Sequence, residues 1–108
     1  MKLETLKRKL KGFQTIESME SPSRTGGPVA NQFIIRFENA TVFQSYDSII
    51  AVEISEKVRG ENKWRRKTYL TDAWDYSVTT GKYRNIFLGE TKKETLAKII
   101  SKEYIVLK

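Results

Sequence analysis

The chain has 108 residues, 39% hydrophobic and 31% charged, with a formal net charge of +7. That length is one domain of ordinary size, able to bury a core of one sheet with a helix or two against it. Cys and His are both absent, which excludes disulfides, thiolate or imidazole metal ligands, and Ser/His or Cys/His catalysis.

No apolar run approaches the roughly 18 residues of a membrane helix. The N-terminal stretch MKLETLKRKLKGF lacks the apolar centre of a secretory signal. The expected setting is therefore the cytoplasm, with no membrane contact. Positive charge is in excess at both ends and on the 63–67 run, while the middle of the chain is near neutral. Such a layout suits an anionic partner; a lysine-rich solvated surface is the plainer alternative.

In chain order, Leu3, Leu6, Leu10 and Phe13 recur at helical spacing and predict a short amphipathic helix, with Gly12 at its exit. Lysines and an arginine fill its other positions. Residues 17–30, ESMESPSRTGGPVA, hold Pro22, Gly26, Gly27 and Pro28 and predict a flexible arm. Residues 1–30 are thus expected to be a basic helix and arm, and 31–108 a single α+β domain.

Phe33, Ile35 and Phe37 alternate with Gln32, Ile34 and Arg36, the pattern of a half-buried strand. A turn at Glu38-Asn39-Ala40 leads to a second strand over 41–46. Residues 49–54 are apolar on both faces and predict the central strand. After a turn around Gly60, residues 63–70 form a fourth, with Trp64, Arg66, Thr68 and Leu70 on one face. Four such strands joined by short turns predict an antiparallel meander.

Beyond Thr71 the period lengthens. Ser77, Thr79 or Thr80 caps a helix ending at Gly89, with Tyr83, Ile86 and Phe87 on its inner side. Thr91 and Glu94 have capping-box spacing for a last helix whose buried face is Leu96, Ile99 and Ile100. Tyr104–Leu107 closes the chain as a short strand. The predicted fold is α+β: a helix, a four-stranded antiparallel meander, two short helices and a C-terminal strand.

The chemistry legible in this pattern is binding. Gly26-Gly27 precedes a strand and lacks the lysine of a phosphate-binding loop. The carboxylates are scattered, and Asp72 and Asp75 are explained by helix capping. No catalytic residue, metal site or cofactor is expected, and the protein is read as a non-enzyme. Lys63, Trp64, Arg65, Arg66 and Lys67 set an indole among cations, and Lys82 and Arg84 flank Tyr83 in a similar way. Cations neutralise phosphates, and an exposed ring stacks on a base. The competing account is an edge strand protected by its charges. Trp74 and Tyr76 are expected in the core, at the corner where sheet meets helix.

The strings FQSYDSIIA and WDYSVTTGKYRNIFLGE resemble a family of small uncharacterised proteins of bacteriophages and related mobile elements, over residues 31 to about 107. The resemblance implies a phage protein acting in a bacterial cytoplasm. It also implies a glycine at the exit of the last helix, where this chain has Lys102. Two functions from different classes follow as expectations. One is a basic nucleic-acid-binding accessory module that uses the seven cations and aromatics from Lys63 to Arg84 named above. The other is an anti-defence inhibitor, similar to anti-CRISPR proteins, that binds a host protein or ribonucleoprotein complex. Neither fixes an oligomeric state.

Overall fold

A computed structural model describes all of residues 1–108. The elements are α1 (Leu3–Lys9), β1 (Phe13–Glu20), β2 (Pro28–Phe37), β3 (Ala40–Ser45), β4 (Ser48–Lys57), β5 (Trp64–Thr71), α2 (Val78–Leu88), α3 (Lys92–Ile100) and β6 (Tyr104–Leu107). The strands lie in sequence order in one sheet; every neighbouring pair is antiparallel except β5–β6, which is parallel. The fold is α+β, as the sequence implies. The sheet is mixed and has six strands, whereas the sequence predicts a four-stranded meander and a separate closing strand.

The additional strand is β1, and with the first residues of β2 it takes up half of the expected arm. Residues 13–20 pair with β2 from Phe13↔Phe37 to Glu20↔Pro28, with irregularities near both ends. Only Met19 of β1 is buried, so an edge strand of mostly polar residues carries almost no apolar alternation to reveal it. Hydrogen bonding fixes it instead. The Pro and Gly residues serve the turn between β1 and β2, where Gly26 and Gly27 take φ of +63° and +99°.

The first helix is shorter than its leucine spacing implies. Asn39, in the β2–β3 turn, takes over its exit: its Nδ2 donates to Lys9 O at 2.7 Å, and its Oδ1 accepts from Lys11 N at 2.9 Å. Gly12 then turns left-handed at φ +69°, where a Cβ would run into the Glu38 side chain. Phe13 is thereby thrown out of the helix into β1, and 61% of it is exposed.

Each face of the sheet has its own core. Leu6 of α1 packs on Ala40, Val42, Val52, Ile54, Tyr69 and Leu107. On the other face Phe43, Ile50, Ala51, Leu70 and Tyr104 meet Tyr83, Phe87 and Ile99 from α2 and α3. Phe43 and Phe87 stack with centroids 5.8 Å apart. As expected for the central strand, β4 lies between β3 and β5 and has buried residues on both faces.

The two later helices begin and end where the sequence implies. Ser77 Oγ accepts from Thr80 N, Gly89 is left-handed, and Thr91 with Glu94 forms the capping box. Tyr83, Phe87 and Ile99 face inward as expected, but the other three expected inner residues do not. Ile86 and Leu96 are exposed, and Ile100 is 79% exposed. Thr95 takes the inward position on α3 because its hydroxyl donates to Glu90 Oε2 at 2.6 Å. Lys102, at the helix exit, is left-handed with φ +65°.

Candidate nucleic-acid interface

β6 pairs only with Thr68–Thr71, so the first half of β5 has β4 on one side and no strand on the other. Both of its faces are reachable there. Trp64 is 66% exposed, Arg65 and Arg66 are exposed, and Lys67 is half-buried. Strand alternation divides them as expected. Arg66 lies on the Trp64 face and reaches across β4, to Ser55 Oγ at 3.5 Å and Thr41 Oγ1 at 3.4 Å. Arg65 and Lys67 lie on the face that α1 covers, opposite Glu56 and Ile54.

The end of α1 converges on the same place. Lys9 and Lys11 line a cleft of about 320 Å³ with Asn39, Glu56, Lys57 and Trp64. These lysines are more than forty residues from β5 in sequence, and sequence reasoning did not join them to it. The basic last turn of α1 was the one available signal, since it has two uses: it complements the helix dipole as well as a ligand. The 55–67 segment contributes Lys57, Arg59, Lys63, Arg65, Arg66 and Lys67 against Glu56 and Glu61. None of these six cations, nor Lys11, has a carboxylate within 4.0 Å; Lys9 meets Glu56 at 3.9 Å. Glu56 also accepts from the Tyr69 hydroxyl at 2.6 Å. Burial and that bond raise Tyr69 above its ordinary pKa.

Lys82 and Arg84 do not join this cluster. Trp64 pairs with Lys57 at one end of the sheet, whereas α2 starts at the other, where Thr80 Oγ1 and Ser45 Oγ are 2.9 Å apart. The length of β5 separates the two, about 25 Å at strand rise. Arg84, expected in the contact set, is only 1% exposed. Its Nη1 donates to Trp74 O at 2.7 Å and lies 3.4 Å from Asp75 Oδ1, its Nη2 donates to Asn85 Oδ1 at 3.1 Å, and its guanidinium stands 5.2 Å from the Trp74 ring centroid. Arg84 is therefore a framework group, since it ties α2 to the 71–77 corner. Trp74 is half-buried beneath it, less enclosed than the sequence implies, and Tyr76 is exposed. Lys82 is exposed, 5.6 Å from the Tyr83 ring centroid.

Asp75 does not cap α2; Ser77 does. Its carboxylate meets Lys92 Nζ at 2.7 Å, and the hydrogen bond from Lys92 holds it below the usual carboxylate range, with Arg84 adding to the effect. A second polar network centres on Glu90. Burial pushes its carboxyl up, but hydrogen bonds from Thr95, Tyr104 and Lys98 outweigh this and hold it below the usual range. The Tyr104 hydroxyl is 2.6 Å away and Lys98 Nζ 2.9 Å. Burial, with that bond, pushes Tyr104 up to about 12. Glu53, opposite Thr68 and two residues from Arg66's partner Ser55, is raised by burial against the lowering influence of Arg66.

A family model described as a family of unknown function (DUF8033) matches residues 14–105. The chain belongs to this family. The DUF8033 match runs from β1 into β6 and takes in the whole β4–β5 hairpin; Lys9 and Lys11 precede it. No curated protein and no solved structure matches the chain.

Proposed function

We propose that this DUF8033 member is a basic, non-enzymatic nucleic-acid-binding module that uses the β4–β5 hairpin end. The observation that carries the reading is the group of cations from Lys57 to Lys67 on the β4–β5 hairpin, joined by Lys11, none within 4.0 Å of a carboxylate, with Lys57 and Lys11 lining one cleft with an exposed Trp64. A strand edge defended against aggregation needs one or two lysines. It does not need a second element to bring further cations to the same rim. Unpaired cations on a rigid edge neutralise phosphates and release counterions, the main source of sequence-independent affinity. In this reading the protein is a phage accessory factor in the bacterial cytoplasm, the setting that its resemblance to phage proteins implies.

A second reading, a host-protein-binding anti-defence inhibitor, draws on a different surface. Leu96 and Ile100 of α3 and Ile105 of the edge strand β6 are exposed, and exposed apolar groups suit a protein partner. The two readings part in one experiment. Labelled single- and double-stranded oligonucleotides are titrated at low salt, and binding tighter than about 100 μM is expected, the weak end of non-specific affinity. If neither binds, the host-protein reading takes its place.

A further inference from the structure

Trp64 is not the one large ring that the rim leaves open. Phe13 follows Lys11 by two residues, beyond the left-handed Gly12, and is 61% exposed although its edge meets Phe37 with centroids 5.9 Å apart. The rings stand on β5 and β1, four strand spacings apart, on the order of 20 Å at the usual spacing. By alternation Phe13 shares the α1 face with Phe37 and Trp64 the other, so a path between them crosses the end of the sheet at the cleft. The end of α1 lies between them. Lys9 and Lys11 project there into the cleft that Trp64 closes on the far side and that Lys57 completes. The order across the rim is therefore ring, cleft, cations, ring.

We infer that this rim is a track for single-stranded nucleic acid, with one base stacked on Trp64 at the cleft, phosphates over Lys57, Lys9 and Lys11, and a second base on Phe13. The inference rests on the nucleic-acid reading above and names its substrate class. Paired bases are stacked on each other inside a duplex and cannot present a face to either ring. Unpaired bases can, and stacking on an aromatic is largely indifferent to sequence. A span of about 20 Å takes on the order of four to six nucleotides, from 3.4 Å per stacked step upward. Glu56 and Glu38 are the carboxylates beside the track. Glu56 is held by Tyr69 and Lys9, and Glu38 lies against Gly12. They narrow the phosphate path to the lysine side of the cleft.

The test uses the whole protein with a labelled oligothymidylate of about twelve nucleotides, near the usual site size, and a duplex of the same length. Trp64→Ala is expected to weaken single-strand binding about tenfold or more, and Phe13→Ala several-fold. Trp64→Phe should retain most of the affinity, duplex binding should be unchanged, and thermal melts should match the parent protein. If Trp64→Ala leaves single-strand binding intact, or weakens duplex binding equally, the track is wrong while the nucleic-acid reading stands. If neither probe binds at low salt, the track and the nucleic-acid reading fall together.

Discussion

Trp64 and Trp74 stand just inside and just beyond the two ends of β5, each with arginines close by, yet the groups around them are used in opposite ways. Around Trp64 the strand has a free edge, and Arg65 and Arg66 are exposed with no carboxylate within 4.0 Å, Arg66 lying back across β4 toward Ser55 and Thr41. At Trp74 the chain turns into α2, and Arg84 is folded inward onto a carbonyl, an amide and a ring. The neighbouring Lys92 is neutralised by Asp75. Cations closed in this way support the fold, while cations left open have their hydration and counterions to exchange for a ligand.

The largest effect that breaks this comparison belongs to Arg84. Arg84→Ala leaves the Trp74 carbonyl and Asn85 without their donor in a closed site, and is expected to cost about 3–5 kcal/mol. Arg65→Ala, on an exposed strand edge, should change stability by less than about 0.5 kcal/mol. Urea melts of the two variants measure the difference; equal losses would erase the distinction between the two regions.

How far such a distinction is legible before the structure depends on the signal each residue sends. Turns and caps are local, and Ser77, Gly89, Thr91 and Glu94 are all where their spacing implies. Strand alternation is equally local, so the division of Trp64 and Arg66 from Arg65 and Lys67 follows from period two alone. Burial is not local. Arg84 has the same flanking residues in sequence whether it faces solvent or Trp74, and only the 71–77 corner decides. Lys9 and Lys11 reach Trp64 through a turn made by Asn39, which no periodicity in α1 announces. Of the inner face expected for α3 only Ile99 packs on the core, for a related reason. A threonine bonded to a buried carboxylate occupies the position where hydrophobicity points to Leu96 or Ile100.

A smaller effect is expected at Glu90, which serves α3 and β6 much as Arg84 serves α2. Glu90→Gln should cost about 2 kcal/mol at neutral pH, the scale of a hydrogen bond to a charged group. The folded pKa of Glu90 is below its unfolded value of about 4.3. Its stabilisation is therefore fully present above that pH and is lost as pH falls through the folded value. The gap between the parent protein and Glu90→Gln should narrow as melts are repeated from pH 7 downward. A constant gap would mean that the carboxylate charge contributes nothing.

The smallest effect concerns Lys102, left-handed at the exit of α3. Lys102→Gly relieves a side chain from a conformation that glycine adopts freely, and is expected to stabilise by about 0.5–1 kcal/mol after the entropy of the unfolded chain is counted. A shift to higher urea midpoint checks it.

The most direct measurement of the two-region account is the salt dependence of oligonucleotide affinity, compared between variants of each region. For single strands, log K falls with log salt at a slope near −0.7 for each phosphate neutralised. Replacing Lys9, Lys11 and Lys57 together by Ala should flatten that slope by about two units, with the melt unchanged. Lys82→Ala, at the other end of the sheet, should leave the slope as it was. A triple variant with the parent slope, or an equal flattening from Lys82→Ala, would contradict the assignment of binding to the β4–β5 rim.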